Sequence, residues 1–340
     1  MATLLSLSNV MAIAEETVIG AGKATAWADT DVVGLNADSS MSPATESIDR
    51  NILNGSFLAC KSLTGSNSTS GTLNSEIGIQ TISGTEKGKL KAHLLWKNAL
   101  GVYVEAGADA TTIADEISRE ADPVTNPQDY DLYVLSKPSD PRKSLVVREY
   151  LGGGTGTTNN CLEHKGVFVE SATITLTAGQ IAQVGFSVSG IDYDNPASQT
   201  VLSNLGCGSI PFVVKQITMK KDKTVLHAQD VTITITNTLN DRTAVTSNGI
   251  SDKVLTNKAV EISYSIDLED LTAYTALKNN TEAELFVELI NGTESMKIYI
   301  PVMSYTAVDK SDDAGVLSLS ISARAYPDAS DEAIYIATKK

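Results

Sequence analysis

Residues 75–83 read SEIGIQTIS and residues 260–268 read VEISYSIDL, and each runs into a helix-like stretch, KLKAHLLWKNALG (89–101) and LEDLTAYTALKNN (268–280). Each then continues with a short acidic strand, LVVREYLGG (145–153) and LFVELINGT (285–293), followed by VFVE (167–170) and IYIP (298–301). Each closes on an alternating strand, VGFSVSGIDYDNP (184–196) against LSLSISARAYPDA (317–329). A shared order of elements is harder to reach by chance than any single match, so the chain reads as two copies of one β-rich unit. The copies pair Glu76 with Glu261 and Phe186 with Leu319. The expected fold is mainly β, with two tandem barrel or sandwich domains, each carrying one short packing helix. The first domain spans 1–200 and the second 208–340, with a Pro- and Gly-containing linker at 195–209.

Alternation and turn residues fill in the rest. Residues 73–82, 172–177, 184–189, 231–237 and 258–267 alternate apolar and polar side chains, as a strand with one wet face does. The turn Ala178-Gly179-Gln180 reads as a hairpin, residues 212–219 as a strand, 67–71 as a loop, and 4–18 as a short helix or strand. Leu90, Leu94, Leu95 and Trp96 have near-helical spacing, with Gly101 where a helix would stop. Glu269 to Lys278 reads as the matching helix. Pro301 cannot donate a ladder hydrogen bond and belongs on an edge or at a bulge. The first copy carries an insertion over 102–143 with Asp109, Asp115, Glu116, Glu120, Asp122, Asp129 and Asp131 and four prolines. Long insertions in compact domains are uncommon and often functional, so it reads either as a contact arm or as an acidic surface loop.

Composition narrows the function classes. Net charge is −15, and residues 1–205 carry 13 basic against 23 acidic side chains. Neither half has a basic patch that would neutralise phosphates, which argues against tight nucleic-acid binding. Aromatics make up only 5%, and Val, Ile, Thr and Ser dominate the patterned stretches. Cys60, Cys161 and Cys207 are odd in number and far apart, which suggests a reducing compartment rather than a disulfide framework. The first residues make a poor signal peptide, and no apolar stretch approaches membrane-spanning length.

No motif supports catalysis. Gly20-Ala-Gly-Lys-Ala-Thr25 resembles part of a phosphate loop, but the required positions hold Thr17 and Ala24. Residues 152–158 are Gly- and Thr-rich and lack the lysine and the following helix. His93, His164 and His227 are dispersed, so neither a metal nor a cofactor site is expected. Cys161 with His164 lacks an orienting carboxylate. Four of the alternating strands, 73–80, 184–189, 258–267 and 317–322, instead define a wet face. Its members are Glu76, Gln80, Ser187, Ser189, Glu261, Ser263, Ser265, Asp267, Ser318, Ser320 and Ser322.

The opening of the chain, Ala14-Glu-Glu-Thr17, Gly20 with Lys23-Ala-Thr-Ala26, and Ser42-Pro-Ala-Thr-Glu-Ser-Ile-Asp-Arg50 with Asn54-Gly55, resembles that of tail tube proteins (major tail proteins) of long-tailed bacteriophages. A strand led by Glu76, the 186–190 strand and Ile300-Pro301 before Tyr305 extend the likeness over nearly the whole chain. The acidic insertion, and Glu170 where the second copy has Pro301, depart from it. The resemblance implies a structural virion protein, assembled in the host cytoplasm and not an enzyme. Six such domains would form a ring, here as a homotrimer, and rings would stack into a tube that conducts DNA without binding it specifically. Tape-measure and tail terminator proteins would be its partners, with no membrane involved. The wet face then reads either as the channel wall or as an ordinary solvent-facing sheet surface. The competing class is a virion or cell-surface β-sandwich that recognises glycans. It would call for exposed aromatic platforms, and the chain has only Trp27 and Trp96 as tryptophans.

Overall fold

The computed structural model describes residues 10–50, 61–80, 89–105, 130–137, 142–151, 161–196, 202, 210–215, 217–244, 249–268, 270–313, 316–328 and 332–339. They form antiparallel β-structure with two short α-helices. The first run of elements is β1 (Val10–Glu15), β2 (Val32–Val33), β3 (Ser40–Ile48), β4 (Leu63–Glu76), α1 (His93–Leu100), β5 (Gly101–Val104), β6 (Asp131–Leu135), β7 (Leu145–Tyr150), β8 (Cys161–Thr177), β9 (Gln183–Gly190) and β10 (Asp192–Asp194). The second is β11 (Ile217–Lys221), β12 (Thr224–Val225), β13 (Ala228–Ala244), β14 (Gly249–Asp267), α2 (Thr272–Asn279), β15 (Ala283–Asn291), β16 (Glu294–Asp313), β17 (Val316–Tyr326) and β18 (Tyr335–Lys339).

The same pairings recur in both runs. In the first, β1 pairs with β2 and β7, β7 with β8, β8 with β9, β9 with β4, and β4 with β3. In the second, β11 pairs with β12 and β15, β15 with β16, β16 with β17, β17 with β14, and β14 with β13. One further ladder, β8 to β13, joins the two runs edge to edge. The result is a continuous sheet in the order β3-β4-β9-β8-β13-β14-β17-β16. The remaining strands lie in a second layer, where β6 of the first run pairs with β18 of the second.

Two long strands serve both layers because bulges bend them. In β8 the register shifts at Lys165–Gly166 and again at Glu170; in β16 it shifts at Pro301–Val302 and again at Thr306. An extra residue bends a strand and increases its twist, letting it leave one sheet and join another. Gly166 sits at φ +61°, and a Cβ there would lie 2.4 Å from Ile191. Pro301 falls at the expected bulge, where its missing N–H costs no ladder bond.

The apolar faces of both layers share one core, including Leu73, Phe186, Ile174, Ile233, Ile262 and Ile321. Helix α1 lies over the first run with Leu95, Trp96, Ala99 and Leu100 buried. The Trp96 ring meets Phe186 edge-on at 5.4 Å. The helix stops at Gly101 as its sequence suggests: φ is +106° and its N–H donates to the Lys97 carbonyl. Asn280 closes α2 in the left-handed helical region, at φ 49°, which glycine and asparagine tolerate best.

Several expectations need correcting. Residues 67–71 are not a loop but part of β4, which is 14 residues long. Their small polar side chains suit a strand paired on both sides with one face wet. That strand ends at Glu76 rather than continuing toward 82, and past it Ile79 makes an isolated bridge to Leu90. Residues 212–219 contribute a strand only from Ile217. The insertion begins as strand β5 and contains a second strand, β6, and the two pair with each other. Residues 106–129, most of 195–209 and all of 152–158 lie outside the described residues.

Candidate channel face and assembly edges

The eight-strand sheet has one core face and one wet face, and the wet face can be followed strand by strand through its ladder partners. One row runs Glu76, Gln183, Thr175, Thr232, Ser263, Ser322, Ala307. The next runs Asn74, Gly185, Thr173, Thr234, Glu261, Arg324, Ser304. A third runs Thr177, Asp230, Ser265, Ser320, Asp309. Ladder partners share a face, so the surface is a field of hydroxyls crossed by a few charges.

The structure brings Glu76, Ser187, Glu261, Ser263, Ser265, Asp267, Ser318, Ser320 and Ser322 to this face. Ser318 is nearly closed off at 4% exposure and shares a 2.6 Å hydrogen bond with Ser311. Ser189 lies past the Glu170 bulge as the partner of Phe168 and is only 8% exposed. Gln80 is not on the sheet; its N–H donates to the Lys89 carbonyl in the connection that follows β4. Of the insertion's acidic residues, Asp131 is fully buried within β6, opposite Thr338, so it belongs to the interior rather than to a surface arm. Asp109, Asp115, Glu116, Glu120, Asp122 and Asp129 lie outside the described residues.

The face is less purely acidic than its sequence pattern suggests. Lys91 pairs with Glu76 at 3.1 Å, and Arg324 is the ladder partner of Glu261. A depression of about 320 Å³ between them is lined by Thr232, Thr234, Glu261, Ser263, Thr306, Ser322 and Arg324. Sequence reading missed Arg324 and the threonines of β8 and β13. Alternation carried two residues past Ser322 reaches Arg324. Thr173, Thr175, Thr232 and Thr234 carry the same two-residue signal.

The chemical motifs weighed from sequence have structural explanations. The Gly20–Lys23 turn does not present its N–H groups to a phosphate. Gly20 and Gly22 each donate to the buried Glu16 carboxylate at 2.9 Å, as does Gly166 at 3.1 Å, and the Ser144 hydroxyl donates to it at 2.5 Å. Cys161 and His164 are three residues apart on a strand, which sends them to opposite faces. Burial pushes the Cys161 thiol up to about 11 and His164 down to about 4, so neither a thiolate nor an imidazolium forms near neutrality. A second cavity, about 350 Å³ between α1 and β5, holds Lys97 and Lys143, both bonded to Glu15 at 2.6 and 2.9 Å. No cluster of metal-binding side chains occurs among the described residues. No helix among them is long and apolar enough to cross a membrane.

A search of curated proteins finds no match to the chain. The sequence profile described as phage tail tube protein matches residues 6–325, a span that takes in the Glu16 turn, both helices and all of the eight-strand sheet except Tyr326 at the end of β17. The family is a structural component of the virion that assembles with itself into a tube, and this chain belongs to the phage tail tube protein family.

Proposed function

We propose that three copies of this chain close into a ring with pseudo-sixfold symmetry, and that such rings stack into the tube through which DNA leaves the virion. The observation that carries this reading is the strand order. Four strands, β3-β4-β9-β8, are followed edge to edge by four with equivalent pairings, β13-β14-β17-β16, and the outer edges of the series are unpaired among the described residues. The runs act as two tandem domains, 1–200 and 208–340. A heterologous edge contact that repeats around an axis forms a ring when its rotation closes. Three copies would supply about 24 strands; at roughly 4.8 Å per strand the barrel is about 37 Å across before tilt widens it.

Placing the wet face inward puts hydroxyls and carboxylates around the passing DNA. Hydroxyls keep the wall hydrated, and carboxylates deny phosphate a site where it would dwell. The apolar face and the helices then form the body of the ring. Residues 106–129 are proposed as a contact arm between chains or stacked rings, and tape-measure and terminator proteins as partners at the lumen and the tube end. Deleting 106–129 should leave a folded chain that no longer assembles; tubes at normal yield would remove the arm from this account. Negative-stain microscopy tests the ring itself. Rings or tubes with a central hole are expected, and particles without a hole across all assembly conditions would contradict it.

A further inference from the structure

The seam inside one chain serves as a template for the seam between chains. Within the chain, β13 pairs with β8: Thr232 opposite Thr175, Ile233 opposite Ile174, Thr234 opposite Thr173, Ile235 opposite Ala172 and Thr236 opposite Ser171. Equivalent positions follow from the ladders without any sequence alignment. The bulge at Glu170 puts Ser171 opposite Ser187, and the bulge at Thr306 puts Ala307 opposite Ser322. From Ser187 the ladder steps to Thr72 and then Ser40; from Ser322 it steps to Ser263 and then Thr232. Ser40 is therefore the counterpart of Thr232, and Ala307 that of Ser171. Counting five residues along the same ladders makes Thr45, paired with Asn67, the counterpart of Asn237, paired with Lys258.

We infer that β3 of one copy adds to β16 of the next with Ser40 opposite Ser311, Met41 opposite Lys310, Ser42 opposite Asp309, Pro43 opposite Val308 and Ala44 opposite Ala307. This deepens the ring reading above and rests on it. Both edges are ready for a partner. Residues 42–48 are exposed along β3, and residues 306–311 of β16 have β17 on one side only. The wet-face partners, Ser with Ser, Ser with Asp and Ala with Ala, are small enough to meet at ladder spacing. On the other face, Met41 is already buried in its own chain's core, and the Lys310 stem can pass over it with its ammonium outward.

The two seams differ in strength by construction. Inside the chain, Asn237 donates to the carbonyls of Ala99 and Val169 at 2.9 and 3.1 Å, and Lys258 donates to Leu100 at 2.6 Å. The second run thus clamps the C-terminal end of α1. Between chains, the counterparts of this clamp are Thr45 and Asn67, which are shorter and already bonded to Tyr193 at 2.7 Å and Asp192 at 2.9 Å. Pro43 also removes one donor from the edge strand. The seam between chains is therefore a ladder without a clamp, and it is the joint at which assembly is made and undone. Edge prolines and charges also suppress unregistered pairing.

Hydrogen exchange on the unmodified chain, free and in tubes or isolated tails, tests whether these edges are used. The amides in 40–44 and 306–311 that face the open edge, Pro43 having none, should slow about tenfold or more on assembly, and unchanged exchange there in well-formed tubes would overturn the seam. Register is tested by pairing Ser42→Cys with Asp309→Cys, since ladder partners lie within disulfide reach. The expected result is an interchain disulfide whose covalent series ends at the trimer, with little from the shifted pairs Ser42→Cys with Ala307→Cys or Ser311→Cys. A shifted pair that cross-links better in intact tubes would overturn the register while leaving the ring. Absence of rings from the unmodified chain would instead overturn the ring.

Discussion

Glu16 is the residue on which the start of the fold is organised. It is 3% exposed, and its carboxylate accepts the N–H groups of Gly20, Gly22 and Gly166 and the Ser144 hydroxyl. Hydrogen bonds to a charged group contribute about 1.5–3 kcal/mol each, and stranding several buried donors costs more than losing one bond. Glu16→Ala should lower the unfolding free energy by about 3 kcal/mol or more, read by urea denaturation, with Glu16→Gln less severe. His164 gives the chain an acid sensitivity. Burial holds its ring neutral until about pH 4, against an ordinary value of 6.5. The unfolded chain takes up this proton below about 6.5 and the folded chain only near 4. The stability from this group is thus fully present above 6.5 and is lost as pH falls toward 4, about 3 kcal/mol in all. Glu15 acts in the same direction at lower pH. Its burial would raise it, but hydrogen bonds and charges from Lys97 and Lys143 outweigh that and hold it below the usual carboxylate value. Stability measured from pH 7 to 4 should fall less steeply in His164→Gln; an unchanged slope would contradict this assignment.

Among the elements, the joint between the two runs depends on β13 and α1 together. Asn237→Ala removes both donors to the α1 end and to Val169, and should cost about 2 kcal/mol while increasing protease access at the β8–β13 seam. Pro43→Thr restores a donor to the free edge and should make assembly begin at lower protein concentration, as followed by light scattering. An unchanged threshold would show that this edge is not limiting. Much of this layer was legible in the sequence. The order strand, helix, strand, strand, strand holds in both runs, and Gly101, Pro301 and the turn at Gly179 sit where their backbone constraints suggest. The register between copies was not legible. Glu76 is the ladder counterpart of Asp267 rather than Glu261, and Phe186 that of Ile321 rather than Leu319. A strand repeats every two residues, so shifts by an even number preserve the inside–outside pattern. The bulges at Glu170 and Thr306 then break the pattern where sequence matching most needs it, so VFVE looks like IYIP although Pro301 answers to Lys165 in the ladders.

For the whole molecule, what the sequence could show of the wet face was its alternation, because small hydroxyls and apolar residues alternate openly in β9, β14 and β17. It could not show that β8 and β13 join the same face. Their adjacency comes from the edge ladder between the two runs and not from any local pattern. Nor could it show that Glu76 and Glu261 have cationic neighbours, since Lys91 and Arg324 arrive from other strands or turns. These neighbours refine the expected effect of charge reversal. Glu76→Lys, Glu261→Lys and Asp267→Lys together should leave tube yield largely intact and slow DNA ejection, more strongly at low salt, where charge is less screened. Ejection at the unmodified rate would place those side chains elsewhere. The most direct measurement is a cryo-electron-microscopy reconstruction of the tube. It should show three chains per ring, each giving eight adjacent strands to one closed inner barrel, with Thr173, Thr232, Ser263 and Ser322 facing the lumen. Six chains per ring, or an inner wall built from the Ile174, Ile233 and Ile262 face, would contradict it.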